Sequence, residues 1–291
     1  MIELEKFAKD QLKNLPKDHP DYKAIEGIAA IAESLNARRD GRFERVFPTI
    51  EQLVAQEKET WRGFLGKEIN IPEPPQSLFE VCAMATEQGI TSFEAHFLPR
   101  VQLRKGSKFP GWKVKPEEWY WEKIKEGKIA KDAAKLPGNW VLVDSTPKPT
   151  YNGGRQLYVN DGFGQILANL RDEGKIEVPQ DYKDVPRTSR FAVTPKEREA
   201  HFYPALAQTL EVETSQVRVT REIEFNVIGN LHHPEWGETN TWEWFEDHFG
   251  GDGRLCGGRS GGGGLAYARY DWSDGRDSSI GFRPLVEFPS K

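Results

Sequence analysis

The chain has 291 residues, 37% of them hydrophobic and 11% aromatic, with a net charge of −5 and a pI near 5.8. That length allows one large domain or two ordinary ones, and nine Trp with sixteen Phe supply cores built on large rings. The acidic balance argues against broad binding to a nucleic-acid backbone, two cysteines support no disulfide framework, and no apolar stretch approaches the ~20 residues of a membrane span.

The start, Met1-Ile2-Glu3-Leu4-Glu5-Lys6, is amphipathic and acidic and lacks the basic segment and apolar run of a secretory signal. The expectation is a soluble protein that is cytoplasmic, virion-associated or exported by a non-classical route. Residues 1–70 read as a helical region. Ile25, Ile28, Ala29, Ala32 and Leu35 recur at helical spacing. A second helix opens at Thr49-Ile50-Glu51-Gln52, a capping-box pattern, and places Ile50, Leu53, Val54, Trp61 and Phe64 on one face. Ile71-Pro72-Glu73-Pro74-Pro75 is a stiff connection and the expected boundary to a second domain over 76–291.

Beyond it, Phe79, Val81, Cys82, Ala83 and Met84 suggest an apolar helix with a buried structural cysteine. Short β-branched and aromatic segments then alternate with turns, and strands are expected over 93–98, 140–143, 216–220 and 223–228. Two helices interrupt them. One follows Asp161, with Phe163, Ile166, Leu167 and Leu170 on one face. The other starts at Thr194-Pro195-Lys196-Glu197, with an N-cap, Pro at the first helical position and Glu three residues after the cap. Its apolar face is Ala200, Tyr203, Leu206 and Leu210. Charge is uneven: 105–135 is Lys-rich and 211–252 is strongly acidic. The class is α+β with long irregular loops.

Few constellations carry chemistry. Gly257-Gly258-Arg259-Ser260-Gly261 lacks both the Gly-Lys-Ser/Thr of a P-loop and the GxGxxG spacing. His232-His233, His248 and Cys256 show no HExxH or CxxC spacing, so no metal site is expected and the paired histidines read as surface residues before Pro234. Asp271, Asp274 and Asp277 have loop spacing that could offer oxygens to calcium, without the EF-hand arrangement. No acid, base and nucleophile assemble, so no catalytic residue and no cofactor are expected. In the aromatic stretch 236–249, Trp242, Trp244 and Phe249 are expected in the core.

The most informative feature is a gap. Residues 247–286 contain no Lys, Glu, Gln or Met, yet hold eleven of the 27 glycines and a recurring set of apolar residues: Leu255, Leu265, Tyr267, Tyr270, Trp272, Ile280 and Phe282. A flexible Gly/Ser linker would not carry that apolar cargo.

The ending Gly257-Gly258-Arg259-Ser260, followed by an aromatic and polar stretch and closing in Ile280-Gly281-Phe282-Arg283, resembles the C-terminal end of the C-type lectin fold in its formylglycine-generating-enzyme branch. In that branch a GGSW-like turn precedes a closing IGFR strand. The same ending is found in variable proteins of diversity-generating retroelements, and the stretches TNTWEWF, GGL, WSD and GFRPLV look like the archaeal and candidate-phylum members of that group. In those systems a template is copied with errors at adenines. AAY codons then become many others, but none for Lys, Glu, Gln, Met or Trp, which matches the gap with Trp272 as the one exception.

The resemblance implies a C-type lectin-like fold, preceded by the N-terminal helices, that displays a variable region over about 239–283. Fixed scaffold residues would be Trp242, Trp244, Gly257, Gly258, Gly263, Gly264, Leu265, Trp272, Arg276, Gly281, Phe282 and Arg283. Displayed, diversified residues would be His248, Gly250, Gly251, Asp252, Gly253, Cys256, Arg259, Gly261, Gly262, Tyr267, Arg269, Asp271, Gly275, Asp277, Ser278 and Ser279. Of these, Tyr267, Arg259, Arg269 and His248 would be the strongest contacts. The implied function is binding of a ligand, a protein or cell-surface molecule rather than nucleic acid, without catalysis. The enzymatic branch implies a pair of C-terminal active-site cysteines, and only Cys256 stands there. The alternatives are an oxidase or other enzyme on the same fold and a phage or surface structural protein.

Overall fold

The computed structural model describes Lys13 and residues 48–289. The helix expected over Ile25 to Leu35 lies outside the described residues. Contacts divide the chain into two units at 49/50, and the second, residues 50–291, contains all the elements below.

Helix α1 (Ile50–Leu65) begins at the expected place and buries Leu53, Trp61 and Phe64, together with the carboxylate of Glu57. Trp61 Nε1 donates to Phe97 O at 2.7 Å, across the Pro-rich connection. The prolines of 71–75 therefore join two elements of a single unit and do not mark a domain boundary. Helix α2 (Gln76–Glu87) follows, with Cys82 buried as expected.

The first sheet is antiparallel throughout, in the order β1-β2-β8-β3. Its strands are β1 (Phe93–Leu98), β2 (Asn139–Asp144), β3 (Val217–Val219) and β8 (Pro284–Phe288). The three earlier strands all fall where β-branched and aromatic side chains predict them. Between them run α3 (Glu118–Lys125) and α4 (Gly164–Asp172). A helical run then passes through a π-turn at Arg198–Phe202 into α5 (Tyr203–Leu210). Its start is the expected capping box: Glu197 N donates to Thr194 Oγ1 at 3.1 Å, and Thr194 N donates to Glu197 Oε2 at 2.9 Å. Tyr203, Leu206 and Leu210 face inward, whereas Ala200 is exposed.

The strand expected over 223–228 is a helix, α6 (Glu222–Leu231). Every residue from 222 to 229 is buried, so its apolar run reflects burial on all sides, a pattern that does not distinguish a strand from a core helix. Glu224 decides its start. Its carboxylate accepts from Arg221 N at 2.9 Å and pairs with the Arg218 and Arg221 guanidiniums. Those arginines hold the Glu224 carboxyl down to about 2 against the opposing effect of burial.

The second sheet has the order β6-β5-β4-β7, made of β4 (Trp242–Phe249), β5 (Gly253–Gly257), β6 (Ala268–Trp272) and β7 (Ile280–Phe282). Its β4–β5 and β5–β6 pairs are antiparallel, and β4–β7 is parallel. The chain leaves this sheet at Phe282 and enters the centre of the first sheet at Pro284, so Arg283 sits at the crossover. It is fully buried. Arg283 Nη1 donates to Thr146 O at 3.0 Å and Nη2 to Glu243 Oε1 at 2.8 Å. Arg190 lies beside it, bonded to Asp144 at 2.6 Å and doubly to Asp161 at 2.8 Å. A charge network, rather than apolar packing alone, locks the two sheets together.

Candidate functional site

The segment 247–286 runs from the end of β4 through β5, β6 and β7 into β8 and carries both buried and exposed side chains. Trp244, Leu255, Phe282 and Arg283 have no exposed surface, and Gly257, Gly258, Gly264 and Gly281 are also buried. Gly257 and Gly258 leave no room for a side chain. A Cβ at Gly257 would lie 2.1 Å from Tyr267 O, and Gly258, at φ +81°, would meet the Phe225 ring at 2.7 Å. Lys148 fixes the same turn, donating to Gly258 O at 2.6 Å and Thr241 O at 2.9 Å. Burial pulls the Lys148 ammonium down to about 8, with Glu243 opposing.

The expected display residues divide. His248, Gly250, Gly251, Asp252, Arg259 and Gly261 are exposed, and Gly262, Tyr267, Arg269, Asp271, Gly275, Asp277, Ser278 and Ser279 are half-buried. Cys256 and Gly253 are buried, contrary to expectation. Cys256 is a β5 residue opposite Trp244 and Arg269, only 3% exposed, and burial pushes its thiol far up. Its thiol cannot be displayed, and held protonated it is a poor nucleophile. A Cβ at Gly253 would lie 2.8 Å from Phe249 O, and one at Gly275 would lie 2.9 Å from Trp272 O, so neither position takes a side chain freely. Asp271 and Asp277 are spent locally, accepting from Trp272 N at 2.7 Å and Ser279 N at 2.6 Å.

Trp272 reverses its expected role. It is 60% exposed and is not a core ring. Tyr270, two residues earlier on the same strand, is 46% exposed. Phe249 is only half-buried and also lies outside the core. It stacks on Tyr270 at 4.0 Å, and Trp119 of α3 stacks on both. The Arg269 guanidinium lies over Trp119 and, at 4.3 Å, over Tyr267, and it pairs with Glu117. Tyr267 in turn packs on Trp242, with Arg259 above that ring at 5.7 Å. The result is a ladder of rings and guanidiniums from Phe249 and Tyr270 through Trp119 and Arg269 to Tyr267, Trp242 and Arg259. Trp119 and Glu117 were not foreseeable as members of it, because they lie about 150 residues upstream.

A second cluster lies away from these strands. His232 and His233, expected at the surface, are half-buried at the end of α6. Beside them the fold places Glu57 of α1 and Glu94 and His96 of β1. His248 and Cys256 are not among them. Among the described residues, the groups of three close metal-type donors are Glu57, His96 and His232, and Glu94, His96 and His233. Asp271, Asp274 and Asp277 form no such group. Burial opposes charge on His96, yet Glu57 and Glu94 push its imidazole up to about 9. Burial, with His96 and His233 nearby, pulls His232 down to about 3, so that ring is neutral.

Comparison with known proteins adds no identity: no family model matches the chain, and neither a curated protein nor a solved structure matches it. No helix among the described residues is long and apolar enough to cross a membrane.

Proposed function

We propose that this chain is a ligand-binding display protein on a C-type lectin-like scaffold, its C-terminal surface diversified by adenine-directed copying in a retroelement. One observation carries the reading: the absence of Lys, Glu, Gln and Met from residues 247–286, in a segment that folds as regular strands from the end of β4 into β8. Selection for packing does not account for that set. Lys and Glu are ordinary choices at exposed positions such as His248, Gly251, Arg259 and Gly261. A codon source that cannot encode them does account for it.

The separation of roles supports the same reading. Backbone bonds, buried rings and the Arg283 network hold the sheet, with added bonds between the exposed His248 and Arg254 at 2.8 Å and from Ser273 Oγ to the exposed Asp252 at 2.6 Å. Binding loops on a rigid scaffold tolerate exchange. The display set is refined by geometry: Cys256, Gly253 and Gly275 leave it, and so does Gly262, where a Cβ would lie 2.2 Å from the Tyr267 ring. Tyr270 joins it, because Tyr is reachable from AAY and its ring is exposed. Trp272 is not reachable and serves as a constant contact ring. The partner is a protein or cell-surface molecule met through the ring-and-guanidinium ladder.

The test is the gene's own neighbourhood. A near-repeat of the codons for residues 239–283, differing only at adenines and lying beside a reverse-transcriptase gene, is expected. A complete locus without one refutes the proposal.

A further inference from the structure

We infer that Glu94, His96 and His233 form a binding site for a divalent transition-metal ion of the zinc class, separate from the C-terminal display surface and independent of the function proposed for it.

The donors converge from two elements. Glu94 and His96 alternate along β1 and stand two residues apart, which puts both on one face of the strand. His233 follows the end of α6. Glu94 Oε2 lies 3.0 Å from His233 Nε2 and 3.5 Å from His96 Nε2, and all three donor atoms fall within 4.8 Å of one another. Bonds of about 2.0–2.2 Å to a tetrahedral zinc ion separate its ligands by roughly 3.3 Å. The two distances to Glu94 bracket that value.

Each histidine is oriented for this by a carboxylate on its other nitrogen. His96 Nδ1 lies 3.1 Å from Glu57 Oε1, and His233 Nδ1 lies 2.9 Å from Glu235 Oε1. A proton on each Nδ1 satisfies those carboxylates, and an ion at Glu94 would displace the Nε2 protons that otherwise face its carboxylate, as ligation by imidazole requires. Metal-binding histidines are held in this way as a rule, because the carboxylate fixes the tautomer and raises the basicity of the ligating nitrogen. Glu57 is itself fixed, accepting from Trp61 Nε1 at 3.1 Å and Phe97 N at 3.2 Å. His233 stacks on Trp236 at 4.6 Å, nearly parallel.

Two further observations point to a missing ion. His96 is 5% exposed, and the nearest partner of its buried Nε2 is Glu94 Oε2 at 3.5 Å, too far for a good hydrogen bond, a costly state for a polar atom unless something completes it. Three carboxylates also gather around two imidazoles in a largely buried pocket, which favours a cation. The donor set selects its class. Two imidazole nitrogens and one carboxylate suit zinc and its neighbours, whereas calcium and magnesium take oxygen ligands almost exclusively. The neutral ring of His232 stacks on His96 at 4.2 Å and shields one side. Glu94, with its side chain 37% exposed, leaves the other side open to solvent. Three protein ligands leave a fourth position free on a tetrahedral ion.

The test uses the full chain without a histidine tag, stripped of metal by a chelator, then titrated calorimetrically with ZnCl2, CaCl2 and MgCl2. One zinc ion per chain is expected, with a raised melting temperature, and no comparable effect of the other two salts. Glu94→Gln and His233→Gln each weaken zinc binding at least tenfold. Glu235→Gln, which touches no metal, weakens it by about 10- to 100-fold, the effect of losing an orienting carboxylate. His248→Ala, in the display region, leaves it unchanged. Metal-free melting temperatures of the half-buried variants show whether each one folds. The inference is overturned if folded wild type takes up no stoichiometric zinc, or if uptake survives the Glu94→Gln, His233→Gln double variant.

Discussion

Phe282 and Trp272 share a scaffold role by their sequence context, and the fold separates them. Phe282 has no exposed surface and meets Phe202 edge-on at 4.9 Å, so it binds the second sheet to the helical run beneath it. Removing a buried Phe side chain costs about 3–5 kcal/mol, because both its transfer energy and the cavity left behind count. Trp272 keeps 60% of its surface in water. The remaining burial, about 100 Å², amounts to roughly 2 kcal/mol on an area basis. For a unit of this size each kcal/mol moves the melting temperature by about 2–4 °C, so Phe282→Ala should lower it by about 6–20 °C and Trp272→Ala by only about 4–8 °C. Thermal unfolding followed by circular dichroism, with urea denaturation as a check on the free energies, measures both. Equal losses would refute the division between scaffold and display residues in this segment. A Phe282→Ala loss under about 1 kcal/mol would refute the packing argument itself.

The same division extends to the glycines: Gly258→Ala should cost about 2 kcal/mol or more, through a positive φ and the Phe225 ring, while Gly261→Ala stays within about 0.5 kcal/mol in urea unfolding. Arg283→Met should destabilise by about 3–5 kcal/mol, because it strands the buried Glu243 carboxylate beside Asp144; a loss under about 1 kcal/mol would mean that the crossover is held by packing alone. Cys256 should resist alkylation in the native chain and react once urea unfolds it; labelling at the rate of a free thiol would show that β5 is open. Stability should also carry a signature of Asp247, whose carboxyl is pushed up to about 6 by burial, against the stabilising bond from Glu222 N at 2.7 Å. A raised folded-state value favours folding below the unfolded value of about 4, and the benefit is lost as pH rises through 6. The neighbouring Glu222 carboxyl, raised mainly by burial and then by Asp247, adds to the loss above its own unfolded value. Asp247→Asn keeps an oxygen acceptor for Glu222 N, so its stability relative to wild type should improve between pH 4 and pH 7. A flat difference over that range would sink the assignment.

What the sequence disclosed depends on how local each cause is. The capping box at Thr194 needs four consecutive residues, and it forms as read. Strands β1 and β2 are defined by side chains within each strand, and their bounds were legible to within a residue. Helix α6 was not, because its identity rests on distant partners. Glu224 is satisfied by Arg218 and Arg221, and Asn226 receives Trp112 Nε1 at 2.7 Å and donates to Leu265 O at 2.7 Å. Without those partners in view, the run Ile223 to Ile228 offers only hydrophobicity. Trp272 failed for the opposite reason: a large ring was assigned to the core by type, and burial is a property of position. Cys256 failed in the same way, since a thiol among glycines reads as loop until β5 pairs it on both sides.

The two candidate sites mark the two ends of this scale. The proposed display surface rests on a compositional signal: the missing residue types survive whatever the fold does with them. Coordinates bear only on which individual positions are exposed. The His96 cluster was invisible because its donors come from α1, β1 and the end of α6, nearly 180 residues apart from Glu57 to Glu235. Adjacent histidines before a proline carry no spacing that predicts a ligand set, and their partners become ligands only when β1 brings Glu94 and His96 beneath them. Substitution at one site should therefore leave the other intact. On the proposed reading, exchanging Arg259 or Arg269 should change what the surface binds without touching the zinc-type donors, and Glu94→Gln should not change ligand recognition at the ladder. If Glu94→Gln abolished binding at the C-terminal face while the chain remained folded, the two sites would be one, and the separation of scaffold from display would have to be redrawn.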